Sequence, residues 1–355
     1  MLLIFLFAVL WGGITALIMC APYGYYPLFI SLLIISIAAY FISNKFFKKP
    51  SRYMCLLSIA IFLLFYSLCS YIIFKPSNYY FHDVTNLTKN KKAIIFYCEG
   101  EMEKYTPYYA NHYYENVPVI FKPFYMLKLK RIYSSIGINT KNKDLLAVAA
   151  DTKNSLLNYK PYYFYIAFKG YSPDIKDSVN SAITDGCSEI VFVNYTHNQE
   201  IKDIISKEIP IEILSSKGIN FKFSESVYLN DKFANTFVTK IINMPFKWDG
   251  ILLLDNETRT SNLIKNELIN LGYSTSQIVI TTDIDNAMKS FRELNAKNIL
   301  YVNLLESGNG IKSEITIPES FEKYSSEFKI TGIKHWGYDK NYVKAVIDVI
   351  LKTEE

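Results

Sequence analysis

The first 74 positions are dominated by apolar residues, with no acidic side chain among them. Three mostly apolar runs occur there, at 1–19, 26–43 and 54–74. A helix that crosses about 30 Å of hydrocarbon needs about 20 such residues, and a Lys, Arg or Asp at its centre would be costly. The pattern therefore predicts a three-helix transmembrane anchor over residues 1–75, with the lipid bilayer as a partner.

After a predicted linker at 76–92, short apolar runs alternate with amphipathic segments. Continuously apolar runs are typical of strands covered on both faces, and their alternation with helices indicates βα units around parallel sheets. About 280 residues are long for one such core. We therefore predict an α/β fold with two similar Rossmann-like open parallel-sheet lobes, at 93–240 and 241–355, the second ending in a helix that crosses back. The predicted strands lie at 93–98, 162–168, 189–193, 220–223, 250–254, 277–281 and 298–303.

The charge is distributed unevenly between these parts. The chain has 38 Lys plus Arg and 33 Asp plus Glu, for a net charge of +5, and residues 1–74 supply +4 of it through Lys45, Lys48, Lys49 and Arg52. The globular part is thus nearly neutral, which excludes a nucleic-acid binder whose basic charge lies on its folded domain. The half-hydrophobic composition also excludes a disordered chain.

Basic residues near the apolar runs bear on orientation. Four of them lie at 45–52, and four more, Lys75, Lys89, Lys91 and Lys92, follow the third run. The counts tie, but the cluster at 45–52 is tighter and favours a cytoplasmic turn. With three spans, we expect an integral protein of the plasma membrane whose large domain is extracytoplasmic.

Candidate site residues follow from the predicted strands. Ligands of open parallel sheets bind outside the carboxyl ends of the strands. The sequence contains no G-x-G-x-x-G, G-K-[ST], G-x-S-x-G or H-E-x-x-H motif at these ends, so phosphate-cradling loops, serine hydrolases and zincins lose their usual support. The residues at the strand ends are Tyr97, Cys98, Glu99, Lys169, Gly170, Tyr195, Thr196, His197, Asp255, Asn256, Leu305, Glu306 and Ser307.

Several stretches of the chain, beginning with 93–98, 105–109 and 124–137, carry a resemblance to a known family. The run Y-I-A-F-K-G-Y-S-P at 165–173 leads to D-G at 185–186 and E-I-V-F-V at 189–193, and further similar segments lie at 228–234 and 296–302. Their order and spacing resemble those of the ferrochelatases, which insert ferrous iron into a porphyrin between two Rossmann-like lobes. The resemblance is collinear over 93–352. It implies a chelatase-like fold, a role in heme or porphyrin metabolism, and tetrapyrrole and divalent metal (iron) ligands, with no resident cofactor required.

The family's chemical motifs are altered in this sequence. The family's S-A-H-S-L-P motif corresponds here to 254–257, which places Asn256 opposite the family's histidine, and asparagine cannot serve as a base near pH 7. Of the family's S-D-H-x-E-T motif, 307–312 keeps only the serine. The resemblance thus implies Asn256, Asp255 and Glu306 as catalytic positions, with His197 and Glu314 as substitute metal ligands.

Aromatic and basic side chains form the predicted porphyrin-binding set. The stretch 105–134 is rich in aromatic residues; Tyr125 is suited to a flat macrocycle, while Lys128 and Arg131 are suited to its propionates. Because the chain has 29 Tyr and 24 Phe, its general composition explains part of this enrichment. The strand-end residues Tyr97, Lys169 and Ser307 complete the set.

Three functional hypotheses remain open. The first is a membrane-anchored chelatase with a non-standard site, which predicts metal-dependent turnover. The second is a non-catalytic tetrapyrrole or metal sensor or carrier, which predicts binding without turnover. The third is a pseudoenzyme serving as a protein-interaction module, for example with a membrane-protein partner, which predicts neither.

Overall fold

The structure, a computed structural model, describes residues 2–44, 52–74, 81, 84, 87–114, 116–157, 159–197 and 201–355. The chain divides into two compact units. Unit 1 comprises Met1–Asn78 and Lys104–Ile138, and unit 2 comprises Tyr79–Glu103 and Asn139–Glu355. The segment Lys104–Ile138, which the sequence assigned to the first lobe, thus belongs to the unit that contains the apolar helices.

Unit 1 is helical, and its first and third helices pack closely. A Cβ atom at Gly12 would lie 2.5 Å from the carbonyl oxygen of Phe62 and 3.0 Å from the backbone nitrogen of Tyr66. The missing side chain therefore lets the two backbones approach closely. The helices are α1 (Leu2–Cys20), α2 (Tyr26–Asn44), α3 (Arg52–Ile73), α4 (Pro107–Ala110) and α5 (Lys122–Ile136).

The three predicted apolar helices are present, but they differ in length. Within the described residues, one helix, Cys55–Ile73, is long and apolar enough to cross a membrane by length and composition. The apolar parts of the other two, Ile4–Cys20 and Tyr26–Phe41, are shorter. Of the basic turn predicted at 45–52, residues 45–51 lie outside the described residues, as do residues 75–80.

Unit 2 contains two four-stranded sheets with the same topology. The strand orders are β2-β1-β3-β4 and β6-β5-β7-β8, and every pairing is parallel. The repeated order confirms the prediction of two similar open parallel sheets. The strands are β1 (Thr88–Glu99), β2 (Tyr163–Lys169), β3 (Cys187–Tyr195), β4 (Asn220–Ser226), β5 (Gly250–Leu254), β6 (Ile278–Ile280), β7 (Asn298–Asn303) and β8 (Lys329–Ile333).

Seven of these strands coincide with predicted ones, while the sequence missed β8. Its residues, K-I-T-G-I, form no continuous apolar run, and none of them is fully buried. Gly332 lies against the ring of Tyr301 on β7, where a Cβ atom would collide with the phenol. This glycine permits the edge strand to pair, although glycine is generally disfavoured inside strands.

Helices cover both sheets, and the last one returns to the first sheet. The C-terminal helix places Glu354 within 3.1 Å of Lys92 on β1 and 2.5 Å of the Tyr162 hydroxyl beside β2. One apolar cluster contains both Phe96 of β1 and Leu253 of β5, so the two sheets share a core. The helices are α6 (Lys141–Leu156), α7 (Ile175–Thr184), α8 (Ile201–Glu208), α9 (Ile211–Ser216), α10 (Asp231–Ile242), α11 (Arg259–Asn270), α12 (Ile284–Glu293), α13 (Ile317–Glu322) and α14 (Lys340–Glu354).

Candidate functional site

A histidine and a buried aspartate meet at the carboxyl ends of β3 and β5, one strand from each sheet. His197 lies two residues beyond β3, and Asp255 is the first residue after β5. The Nε2 atom of His197 lies 2.7 Å from Oδ1 of Asp255. The carboxylate is fully buried, whereas the imidazole side chain is 20% exposed. Two residues predicted for different roles therefore form one hydrogen-bonded pair.

Asp255 is held in place by the first turn of α11. Its Oδ2 atom accepts hydrogen bonds from the backbone nitrogen of Thr258 at 3.1 Å and from the hydroxyl of Thr258 at 2.5 Å. Burial by itself would raise the pKa of Asp255, but hydrogen bonds from His197, Ser261 and Thr258 outweigh burial and hold this pKa well below its usual range. The carboxylate is therefore ionised at neutral pH.

The imidazole of His197 has one nitrogen engaged by Asp255. Because Asp255 is ionised, Nε2 carries the proton of this bond in the neutral ring. Within the described residues, no hydrogen bond reaches Nδ1. The ring also packs on Tyr228, at 4.8 Å between centroids, and the Tyr228 hydroxyl lies 3.0 Å from Oγ1 of Thr258. A carboxylate that orients a histidine in this way prepares its second nitrogen to accept a proton or bind a metal ion.

A second pair of strand ends is joined by a buried lysine. Glu101 follows β1 and Glu306 follows β7, again one from each sheet. The Nζ atom of Lys141 lies 3.1 Å from Oε1 of Glu101 and 3.0 Å from Oε2 of Glu306. Lys312 approaches the other oxygen of Glu306 at 3.1 Å. At Gly310, a Cβ atom would lie 2.5 Å from Oε1 of Glu101, so glycine makes room for this cluster.

Lys141 and Lys312 keep Glu306 ionised and pair with both of its carboxylate oxygens. Burial would raise the pKa of Glu306, but Lys141 and Lys312 together bring it below its usual value. Burial would also lower the pKa of Lys141, yet Glu306, Glu101 and Glu99 raise it well above its usual value. Glu306 would therefore have to lose an ion pair to bind a metal ion.

A conventional metal centre is not found in the part of the chain that the structure describes. No three His, Cys, Asp or Glu side chains come together there in an arrangement that could hold a metal ion. The predicted ligands His197 and Glu314 make separate contacts, since Oε2 of Glu314 lies 2.6 Å from Nζ of Lys334. The predicted metal roles of both residues stay predictions.

The other residues predicted at strand ends differ in their exposure and in their contacts. Asn256 is exposed beside Asp255, and Lys169 pairs with Glu99 at 3.8 Å. Tyr97 and Ser307 are buried, and neither hydroxyl has a hydrogen-bond partner among the described residues. Tyr97 belongs to the apolar cluster between the first sheet and α7. The macrocycle contacts predicted for these residues stay predictions.

The other three predicted porphyrin-binding residues lie in unit 1. Tyr125, Lys128 and Arg131 are all exposed on α5. The ring of Tyr125 contacts that of Tyr114, at 5.1 Å between centroids. They therefore belong to a different compact unit from the His197–Asp255 pair.

Sequence reasoning missed several residues that complete the two clusters. Lys141 and Glu101 lie outside the motifs that carried the resemblance, and one lysine at a helix start gives no sign that it will be buried. Thr258 had a usable signal, because T-x-x-S after a strand resembles a helix N-cap, and Thr258 does cap α11. Tyr228 lay within a segment of the resemblance but was assigned no role.

Comparison with known proteins finds similarity at the level of structure. No family model and no curated protein matches the chain. SirB from Bacillus subtilis, solved with Fe3+, superposes with a TM-score of 0.50 and 14% identity, covering 74% of this chain and 95% of that chain. The sirohydrochlorin chelatase SirB from Bacillus subtilis subspecies spizizenii, in complex with cobalt, gives a TM-score of 0.48 and 12% identity over the same shares.

A third structure is similar over part of its length. DR2241 from Deinococcus radiodurans, a multi-domain protein with structural similarity to chelatases and two additional novel domains, gives a TM-score of 0.43 and 9% identity. The match covers 73% of this chain and 54% of the DR2241 chain. The SirB structure solved with Fe3+ shows that this chain contains a chelatase-like fold. The narrower resemblance to ferrochelatases stays a prediction.

Proposed function

We propose that this protein is a membrane-anchored, chelatase-like protein that binds a tetrapyrrole at the carboxyl edge of its two sheets and inserts a divalent metal into it. The observation that carries the proposal is the His197–Asp255 pair, which joins the ends of one strand from each sheet. Support also comes from the fold, since a structure of the same fold was solved with Fe3+.

The proposed chemistry assigns a proton acceptor to this pair. A divalent metal that enters a free-base tetrapyrrole replaces two N–H protons, so the site must accept protons one at a time and release them to water. Nδ1 of His197 is the accepting atom, and ionised Asp255 stabilises the imidazolium that forms. Tyr228 packs against the imidazole and helps to hold it in place. The metal enters as a substrate rather than as a resident cofactor.

The proposed anchor consists of three spans. Large apolar side chains along α3, including Leu56, Leu57 and Leu64, are exposed, and 11% of the apolar stretch Cys55–Ile73 is buried. A core helix of a soluble protein would be mostly buried, so this exposure supports lipid contact. The shorter helices α1 and α2 span with it in this proposal, and the large domain is extracytoplasmic. Protease accessibility of that domain in intact cells tests the orientation.

A second candidate function is tetrapyrrole or metal carriage without turnover. The observation that favours it is the state of Glu306, whose two carboxylate oxygens are both paired with lysines. Among the described residues, no third His, Cys, Asp or Glu joins His197 and Asp255 in a group that could hold a metal ion. The test below separates this candidate from the first.

The test uses the full chain in lipid nanodiscs. Sirohydrochlorin, coproporphyrin and protoporphyrin are titrated and followed by their absorption bands, and then Co2+ or Fe2+ is added without oxygen. The first candidate predicts metallation above the protein-free rate, and His197→Ala is expected to lower that rate about 10²-fold while changing the tetrapyrrole Kd little. Asp255→Asn is expected to lower the rate about 10-fold to 100-fold.

His335→Ala is the matched control, because it removes another partly buried histidine of unit 2. Its metallation rate is expected to stay within about two-fold of wild type. An unchanged rate in His197→Ala would overturn the proposed role of His197. Binding without metallation supports the carrier, and no binding of any tetrapyrrole would overturn both candidates and leave the protein-interaction hypothesis.

A further inference from the structure

One side of α5 presents an exposed stripe that changes from aromatic to basic along the helix. Phe121 is 55% exposed, Phe124 58% and Tyr125 44%. Lys128 and Arg131 follow on the same side, one turn and two turns later, and are also exposed. The opposite side, which includes Met126 and Leu129, is buried. The helix is therefore amphipathic, with large rings on its outward surface.

The buried side fixes α5 against the carboxyl end of α1. The Nζ atom of Lys130 donates to the carbonyl oxygens of Ile18, Met19 and Ala21 at 2.9, 3.1 and 2.8 Å. These carbonyls lie at the end of a helix, where no intrahelical partner remains for them. Lys130 is 1% exposed. Because its three acceptors are at the end of α1, α5 lies beside the carboxyl end of this apolar helix.

The start of α5 is fixed to the apolar helix α3. The hydroxyl of Tyr66 donates to the carbonyl oxygen of Ile120 at 3.1 Å, and the rings of Tyr66 and Phe124 lie 6.4 Å apart. The aromatic start of the stripe therefore lies against the proposed span. The basic part lies further along the helix.

The segment around the stripe carries positive charge alone. From 116 to 138 the sequence contains Lys122, Lys128, Lys130 and Arg131 and no acidic residue. Within the described residues, no carboxylate forms an ion pair with Lys128 or Arg131. An anionic surface next to the apolar helices would complement these two side chains.

We propose that the exposed stripe of α5, residues Phe121, Phe124, Tyr125, Lys128 and Arg131, lies in the headgroup layer of the bilayer and binds anionic phospholipids. The aromatic rings occupy the level between headgroups and acyl chains, where such rings are favoured, and the basic side chains contact phosphate groups. This inference rests on the proposed membrane anchor. It assigns to lipid three residues that the sequence assigned to a porphyrin.

The test places the photo-crosslinker p-benzoylphenylalanine at single positions of the full chain. The protein is reconstituted in nanodiscs of phosphatidylcholine with or without phosphatidylglycerol, irradiated, and analysed for lipid adducts by mass spectrometry. The substitution of Phe124 is expected to give adducts with both lipids, enriched in phosphatidylglycerol. Lys128→Glu with Arg131→Glu is expected to reduce that enrichment about ten-fold.

Three controls make the outcomes distinguishable. The crosslinker at Leu64, exposed on α3, reports lipid contact of the span, and at Leu271, exposed in unit 2, it is expected to give no adduct. Lys289→Glu with Lys297→Glu reverses two exposed charges of unit 2 and is expected to leave the enrichment unchanged. Adducts at Leu64 without adducts at Phe124 would overturn the headgroup proposal alone. The absence of adducts at Leu64 would overturn the proposed anchor.

The same charge-reversal variant separates lipid from macrocycle as the ligand of the stripe. If Lys128 and Arg131 bind headgroups, reversal of their charges leaves the tetrapyrrole Kd within about two-fold of wild type. A tetrapyrrole Kd that rises more than about ten-fold, with lipid adducts unchanged, would overturn the headgroup proposal in favour of the porphyrin assignment.

Discussion

At the scale of single residues, unit 2 uses hydrogen bonds to keep ionised groups inside the protein. Asp255 and Glu306 are both almost inaccessible to solvent, and each has a pKa below its usual value in spite of burial. Asp255 depends on neutral and imidazole donors, whereas Glu306 depends on two lysines. At Asp255, the arrangement leaves Nδ1 of His197 available for chemistry. At Glu306, both carboxylate oxygens are engaged in ion pairs with lysines.

The lowered pKa of Asp255 predicts a pH dependence of stability. A carboxyl group with a depressed folded-state pKa stabilises the fold fully above its unfolded-state pKa, about 4, and loses that contribution as the pH falls through the folded-state value. We expect Asp255→Asn to lower the free energy of unfolding by about 2 kcal/mol at pH 7.

The measurement follows Trp248 and Trp336, both buried in unit 2, by fluorescence during urea unfolding of the full chain in detergent. Between pH 7 and pH 3 the difference between wild type and Asp255→Asn is expected to shrink. A difference that stays constant over this range would contradict the assigned titration of Asp255.

Lys141 offers a second residue-scale prediction, because its removal leaves two buried carboxylates without their shared partner. We expect Lys141→Met to lower the free energy of unfolding by about 3–5 kcal/mol. Lys312→Met is the matched control, since it removes a 66% exposed lysine from the same Glu306 and is expected to cost less than about 1 kcal/mol. Equal losses for the two variants, measured by urea unfolding, would show that burial does not govern the cluster.

At the scale of elements, the sequence predicted least clearly where a neighbouring element would pack directly against a backbone glycine. Strand β8 pairs beside β7 because Gly332 leaves space for the ring of Tyr301, and α1 approaches α3 because Gly12 carries no side chain. A sequence pattern shows where glycines are. It does not show which neighbour approaches them.

Gly12 gives the element-scale prediction. A methyl group there would lie 2.5 Å from the carbonyl oxygen of Phe62, so Gly12→Ala must separate α1 from α3 at a cost of about 1–3 kcal/mol. We expect the midpoint of heat-induced loss of helical circular dichroism to fall by several degrees in detergent. Gly24→Ala, at a glycine whose added Cβ would have no atom within 4 Å, is expected to leave the midpoint unchanged. A similar fall in both variants would count against the packing argument.

At the scale of the whole chain, contacts between residues distant in sequence hold unit 2 together. In unit 2, the final helix reaches the first sheet, where Glu354 accepts hydrogen bonds from Tyr162, Lys92 and Lys160. Burial would raise the pKa of Glu354, but these donors bring it below its usual value. The two sheets are therefore joined by the end of the chain as well as by their common core.

We expect Glu354→Gln to lower the free energy of unfolding of unit 2 by about 1–3 kcal/mol at pH 7, because three donors lose their charged acceptor. Glu355→Gln, at the exposed neighbouring position, is expected to have no measurable effect. Urea unfolding followed by tryptophan fluorescence measures both. Identical behaviour of the two variants would show that the end of α14 does not hold the lobes.

The sequence by itself determined most of the strands and the apolar helices of this protein. Apolar runs are local, so they located the three apolar helices and seven of the eight strands in the described residues, and the predicted parallel topology placed His197 and Asp255 at strand ends. The pairing of these two residues, the burial of Lys141 between Glu101 and Glu306, and the seat of Lys130 at the end of α1 were decided by the tertiary structure. Each depends on contacts between segments far apart along the chain, and neither residue type nor local spacing carries that information.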